Sequence, residues 1–202
     1  MIFGTTLFND DMEAEETGFI PLISEGEEPL ELKESEAENI PILPLRNVVL
    51  FPDVVLPVAM GRKKSLMAVK NAYKNKSYLA VFTQKDAKVE EPTQDDLYAV
   101  GAVASVIKIL ELPDGSTTAI LQGKRRILLD RIDTVKPFYR GKVTPLVDVM
   151  PLKSEKKEVD ALMGAVKETA SKIIKGSGNM PPEAMFAIKN IEQPWALLNF
   201  AA

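Results

Sequence analysis

Residues 40–66 read IPILPLRNVVLFPDVVLPVAMGRKKSL, and the reading of this stretch decides the fold. It is strongly apolar, yet it carries Pro41, Pro44, Pro52 and Pro57. Proline removes a ladder donor, so within a sheet it belongs on an edge, at a strand start or at a bulge. The stretch therefore predicts a short strand over Ile42–Leu45, a turn-rich connection with an apolar bend at Phe51-Pro52, and a second strand over Val54–Ala59. Pro57 needs an edge or a bulge. Prolines so placed blunt the edges of a curved, partly closed sheet. Gly61 then permits a sharp turn.

Arg62, Lys63 and Lys64 follow at once. Leu66, Val69 and Tyr73 recur at helical spacing and predict an amphipathic helix from Arg62 to Asn75. Cations in a first turn oppose the helix dipole, at about 0.3–1 kcal/mol each. The three are thus candidates for contacting something acidic, against the plainer reading of a solvated basic face.

Outward from there, Tyr78–Thr83 reads as a buried strand and Gln84–Tyr98 as a polar loop. Val100–Leu112 and Thr117–Gln122 pair about the turn Pro113-Asp114-Gly115-Ser116, which has hairpin chemistry. Gly123 marks a bulge or corner, Lys124–Ile132 forms a further strand and Tyr139–Val149 the last. Seven or so short strands with one helix argue a small closed or nearly closed barrel. The texture changes at Met150-Pro151. Glu155–Lys175 places Val159, Leu162, Met163, Val166, Ile173 and Ile174 on one stripe. Pro181-Pro182 opens another helix, and Pro194 starts WALLNFAA. That segment stops without polar cap or glycine, so the chain is expected to be a fragment cut inside a helix.

The net charge of −4 hides an asymmetry. Residues 1–39 hold twelve acids and one base, giving −11, and residues 40–202 hold seventeen acids and twenty-four bases, giving +7. An acidic, mostly disordered arm (1–39) is expected before a mildly basic body. Two apolar islands interrupt it, and the first, Phe19, Ile20, Leu22 and Ile23 around Pro21, is a candidate for docking in a groove on the body or on a neighbour. A plain spacer is the competing reading.

The chain has no histidine and no cysteine. Common zinc sites and every His- or Cys-dependent catalytic arrangement are excluded within it. It has neither GxxxxGK[ST] nor GxGxxG. The carboxylate pairs Glu90-Glu91 and Asp95-Asp96 lie in a polar loop with nothing to perturb their pKa. No catalytic, cofactor-binding or metal-binding residue is assigned, and a binding module is expected. No membrane span or signal peptide is read, and cysteine absence fits a cytoplasmic, reducing compartment.

The stretch Pro41, Leu43-Pro44-Leu45-Arg46, Val49, Phe51-Pro52, Pro57, Gly61-Arg62 and Ser65 resembles the opening pattern of the N-terminal domain of the ATP-dependent Lon serine proteases. The segment VGAVASVIKILELPDGSTTAILQGKRRILL is similar to that family's hairpin, and AIKNIEQPWALLNF to its helix leading toward the ATPase. The resemblance covers about Ile40 to Ala202. It implies an α+β chain with a PUA-like β pseudo-barrel and one short helix (40–150), followed by the beginning of an α-helical bundle (151–202). It also implies capture of unfolded or damaged polypeptides and support of hexamer assembly. ATP, magnesium and the serine peptidase are implied only for a part beyond residue 202.

Such a receptor needs exposed apolar surface. The candidates for polypeptide binding are the apolar rim Phe51, Pro52 and Met60 with the basic cluster Arg62, Lys63 and Lys64. Ordinary core is the competing reading for Phe51 and Met60. PUA-like barrels bind RNA in other families, but aromatics are 6% of this chain and not interleaved with the basic residues, so stacking platforms are lacking and nucleic acid is not expected. A third reading is an assembly module built on the Val159–Ile174 stripe.

Overall fold

The computed structural model describes residues 22–23, 32–149, 151–177 and 182–201. Its strands are β1 (Leu22–Ile23), β2 (Ile40–Leu45), β3 (Val54–Ala59), β4 (Leu79–Thr83), β5 (Val100–Glu111), β6 (Thr117–Thr134) and β7 (Arg140–Pro145). They form one mixed sheet in the order β1-β3-β6-β5-β4-β2-β7, and β7 also pairs with β6. The pairings thus run round a ring, with β3 and β1 standing outside it. The joint between β2 and β7 is only Ile40 and Pro41. The result is a curled pseudo-barrel, nearly closed and not a closed barrel. β2 and β4 are parallel, so the chain must cross over between them; β3 and the helix α2 (Lys63–Asn75) make that crossing.

The prolines fit by parity. Successive N–H groups of a strand point to opposite sides. Ile42 N–H donates to Tyr139 O, 2.8 Å away, and Leu45 O accepts from Gln84 N–H at 2.9 Å. Even residues of β2 therefore face β7 and odd ones β4. Pro44 turns its missing donor toward β7 where pairing with β7 has already ended. Pro41 turns its own toward β4 before that pairing begins at Ile42. On β3, Met60 N–H donates to Thr117 O at 2.8 Å, so Pro57 faces away from β6.

Two cores occupy the two faces of the sheet. Leu43, Leu45, Leu79, Val81, Ala104 and Leu121 pack with Ala68, Val69 and Ala72 of α2. Ile40, Ile42, Phe82, Val103, Ile127 and Leu129 form the other core. Being covered on both faces, β2 is buried at all six positions, which explains its unbroken apolar run. On β6 the parity reverses: Ala119 and Leu121 serve the first core, Ile127 and Leu129 the second. The cause is a bulge, because Ala104 is opposite Gly123 and Val103 opposite Arg125, leaving Lys124 extra. A Cβ on Gly123 would lie 2.1 Å from the Phe51 carbonyl oxygen. The two strands expected over Thr117–Gln122 and Lys124–Ile132 are thus one bent strand, since the bulge kinks the ladder without ending it.

The helix after Gly61 begins at Lys63, with Arg62 as its N-cap. Its buried face is Ser65, Ala68, Val69 and Ala72, and Tyr73 is exposed. The small residues, not the bulky stripe, let the helix lie close to the sheet. The ordered body also starts before Ile40: α1 (Glu34–Ala37) buries Ala37, and Glu38 pairs with Lys142 and Arg131. These residues belong to the stretch expected as a disordered arm.

After β7 come α3 (Lys156–Gly176), α4 (Pro182–Asn190) and α5 (Pro194–Ala201). Ile174, Ala184, Ile188, Ile191, Ala196 and Leu197 make a third core, with Met163 and Val166 against it. Leu162 and Ile173 of the expected stripe are each 60% exposed. Asn199, buried, joins this unit to the sheet: its Nδ2–H donates to Pro52 O at 3.2 Å, and its Oδ1 accepts from Arg126 Nη2.

Candidate functional site: a cleft between two sheet edges

The parity that lets Pro44 and Pro57 be strand residues also turns toward one cleft two edge segments that, at Pro44–Arg46 and Pro57–Met60, have no strand partner on that side among the described residues. Leu43–Arg46 of the β2 edge and Pro57–Met60 of the β3 edge line it, with Val48, Gly61, Arg62 and Ser65. Its volume is about 400 Å³, room for one or two side chains of a ligand. The walls are apolar, and Arg46 and Arg62 supply the charge.

Arg62 is held in place. Its Nη2 donates to Gln84 Oε1 and, at 3.1 Å, to Val89 O. Gln84 is buried, and its Nε2 also donates to Val89 O at 2.9 Å. The Nε of Arg62 is buried and has no hydrogen-bond partner. Burial first, and Arg46 beside it second, push the guanidinium pKa down from its ordinary value, with Glu90 opposing. An acceptor arriving in the cleft would therefore be welcome here.

Lys64 has a partner already. Its Nζ contacts Glu91 and stands 5.2 Å from the centre of the Tyr139 ring. The hydrogen bond to Glu91 raises the Lys64 pKa, and the same bond lowers that of Glu91. Burial pushes Tyr139 up. Glu90 pairs with Arg46 at 3.0 Å. The carboxylate pair Glu90-Glu91, expected to have nothing nearby to perturb it, thus faces the cationic helix start and supplies the negative charge that the first turn of α2 lacks.

The structure brings together Met60 and Arg62 at the cleft, with Lys63 exposed beside them. Phe51 and Pro52 do not join them. They lie at the opposite end of β3, about 20 Å away along six residues, against Gly123 and Asn199. Leu22 and Ile23 pair with Val55 and Val54 on the outer edge of β3; Phe19 and Ile20 lie outside the described residues. Sequence reasoning missed Arg46, Gln84, Pro44 and Pro57 as site residues. The two prolines carried the signal, because an edge that must be blunted is an edge within reach of another chain.

Among the described residues no helix is long and apolar enough to cross a membrane. A family model described as the substrate-binding domain of ATP-dependent protease La (LON) matches residues 39–202. The Lon protease of Cytophaga hutchinsonii is 44% identical over 189 residues, 94% of this chain and 23% of that protein. That of Parabacteroides distasonis is 42% identical over 168 residues, 83% of this chain and 20% of that protein. The chain thus spans about a fifth of the length of these relatives. Among solved structures, the N-terminal domain of the Mycobacterium avium complex Lon protease superposes with a TM-score of 0.65 at 17% identity, over 80% of each chain. That likeness concerns the fold alone.

Proposed function

Because this chain belongs to the family of substrate-binding domains of ATP-dependent Lon proteases, we propose that it holds unfolded or damaged polypeptides for such a protease, and that the cleft between β2 and β3 is where it holds them. The observation that carries this reading is the pair of proline-blunted edges facing one apolar cleft with a cation at its end. Unfolded chains differ from folded ones by exposing apolar side chains and free backbone. The cleft offers apolar walls and backbone edges to both. Pro44 and Pro57 remove donors from those edges, so a client is held loosely and does not become a permanent strand.

Burying one client Leu or Phe contributes roughly 1.5–3 kcal/mol. Two such contacts, less the ordering of the client, leave about −4 to −8 kcal/mol, a millimolar to micromolar affinity. Weak holding suits a receptor that must hand its client on. Met60 is the apolar contact in this scheme, Arg62 receives an acceptor on its Nε, and Lys63 favours acidic clients. Phe51, Pro52 and the partnered Lys64 act through the fold. ATP and magnesium belong to the remainder of the longer protein, as does hydrolysis.

Titration calorimetry of the whole chain with reduced, carboxymethylated lactalbumin tests the reading. Saturable binding is expected, weakened about tenfold by Met60→Asp and more weakly by Lys63→Glu. Absence of heat at high micromolar concentration, or an unchanged Met60→Asp variant, overturns it.

A second reading concerns support of hexamer assembly. Phe186 is 73% and Leu198 58% exposed on the helical unit, which favours a protein partner there. Light scattering across a hundredfold range of concentration measures it: a mass that rises supports self-association through this unit, and a constant monomer removes it.

A further inference from the structure

The two arginines of the cleft are used unequally. Arg46 and Arg62 both line it, and both reach one backbone oxygen, that of Val89. Arg62 Nη2 donates to it at 3.1 Å and Gln84 Nε2 at 2.9 Å. A carbonyl oxygen has two lone pairs, and these two donors fill them. Arg46 Nη2 is left at 3.5 Å, beyond the usual range of an N–H···O bond. Its charged partner is Glu90, 3.0 Å away. We propose that Arg46 and Arg62 form an exchangeable carboxylate seat at the end of the cleft, held at rest by Glu90, and that the preferred clients carry an Asp or Glu side chain next to the apolar side chain they bury. This rests on the cleft being the client site.

Three observations support the seat. The first is repulsion. Two guanidinium groups gathered at one oxygen disfavour each other's charge, and an anion beside them relieves it. Arg46 pushes the Arg62 pKa down, second only to burial, and Glu90 is the foremost group opposing. The second is exchangeability. The Glu90 side chain is 78% exposed, that of Arg46 36%. Exposed ion pairs contribute little, so another carboxylate displaces this one at small cost. The backbone beneath stays in place, because Val89 O is held by Arg62 and Gln84 and Pro92 is buried. Only the Glu90 side chain swings into water. The third is capacity. Glu90 approaches Arg46 through Nη2, the nitrogen that also faces Val89 O. The Nε and Nη1 of Arg46 make no hydrogen bond among the described residues, which leaves the fork free to take a carboxylate through two parallel bonds. Leu43, Val58 and Met60 line the same cleft, so the acid sits beside the buried apolar group. An unfolded chain offers acidic side chains along its whole length and only one terminus, which makes the side chain the source.

Fluorescence anisotropy of the whole chain with short labelled peptides tests this. One peptide carries Leu-Phe-Asp-Glu and its twin Leu-Phe-Asn-Gln, both amidated at the C-terminus. The acidic peptide is expected to bind about threefold more tightly than its twin. Glu90→Gln is expected to raise that preference to roughly tenfold, because the seat is then open, and to leave the twin's affinity unchanged. Asp95→Asn makes the same charge change elsewhere on the loop and is expected to alter neither. Arg46→Gln is expected to abolish the preference while the twin still binds, which a merely structural role for Arg46 would not produce. A rise for both peptides in Glu90→Gln, an equal rise in Asp95→Asn, or a preference that survives Arg46→Gln overturns the seat. A twin with a free C-terminus that binds better than the acidic peptide overturns the internal acid and puts the chain terminus in its place. The twin alone reads the cleft. If Met60→Asp leaves its binding unchanged, the cleft falls as the client site, while the Glu90 and Arg46 variants still decide the seat.

Discussion

The sheet and the helical unit use their apolar residues in opposite ways. The sheet covers both its faces, so Phe82, Ile42 and Leu43 are essentially without solvent contact. The helices bury one stripe and leave Leu162, Ile173, Phe186 and Leu198 more than half exposed. Both are amphipathic by sequence. The difference is that the curled sheet is covered by its own curl and by α2, whereas α3, α4 and α5 pack along one stripe only. The helical unit leaves apolar surface exposed among the described residues, and it leans on the sheet through Asn199.

The molecule contains its own reporters for this contrast. Its single tryptophan, Trp195, lies in the helical unit and its four tyrosines lie in the sheet part. The largest expected effect is Phe82→Ala, a cavity in a core with no slack, costing about 3–5 kcal/mol. Urea unfolding followed by tyrosine should show it in full. A tryptophan curve that stays in place would split the molecule into two independent units; a shared shift would make it one.

Next comes Asn199→Ala, which leaves the Pro52 carbonyl without that donor and Arg126 without that acceptor. A loss of about 1–3 kcal/mol is expected, read first by Trp195. The two curves should separate in this variant if Asn199 is the tie. Coincident curves would place the coupling elsewhere.

Smaller still, Ile173→Ser should change stability by no more than about 0.5 kcal/mol, since the side chain is already in water. A larger loss would mean that the exposed face is covered in solution, and dependence of that loss on protein concentration would name a second copy as the cover.

The smallest effect is electrostatic. The Glu91 pKa is lowered by its hydrogen bond from Lys64, so its contribution is present above the ordinary carboxylate value of 4.5 and is lost as pH falls through the lowered one. The Lys64 pKa is raised, so its contribution is present below 10.5 and is lost as pH rises through the raised value. Between these limits stability should be flat. Glu91→Gln should soften the acid-side loss, measured as melting temperature against pH.

Much of this was legible in the residues. Four prolines in an apolar run announced edges, and Val54–Ala59 was bounded correctly because Asp53 and Met60-Gly61 frame it. The hairpin at Asp114-Gly115 followed from turn chemistry, and Gly115 does adopt a φ of 82°. The helix after Gly61 was placed, and Val69 of its expected stripe is fully buried, but Tyr73 is exposed and Ser65, Ala68 and Ala72 complete the inner face, because periodicity weights bulk and this interface selects small residues. Within the loop Gln84–Tyr98, Gln94–Asp96 form a single short helical turn. What sequence could not give is which edges face each other. Pro44 and Pro57 are thirteen positions apart with no local signal joining them, and their cleft exists only because β4 inserts beside β2 and sends β3 to the other flank. The pairings of Arg46 with Glu90 and Lys64 with Glu91 were hidden for the same reason: they are long-range consequences of that crossover.

The extra residue at Lys124 makes β6 a rectifier. Upstream of it odd-numbered side chains serve one core, and downstream they serve the other. Losing or gaining one residue anywhere between Thr117 and Leu129 would present Ile127 and Leu129 to the wrong side, while a change of two would preserve the phase. Natural length variation in this strand should therefore be quantised in pairs, and its relatives should differ there by even steps or not at all.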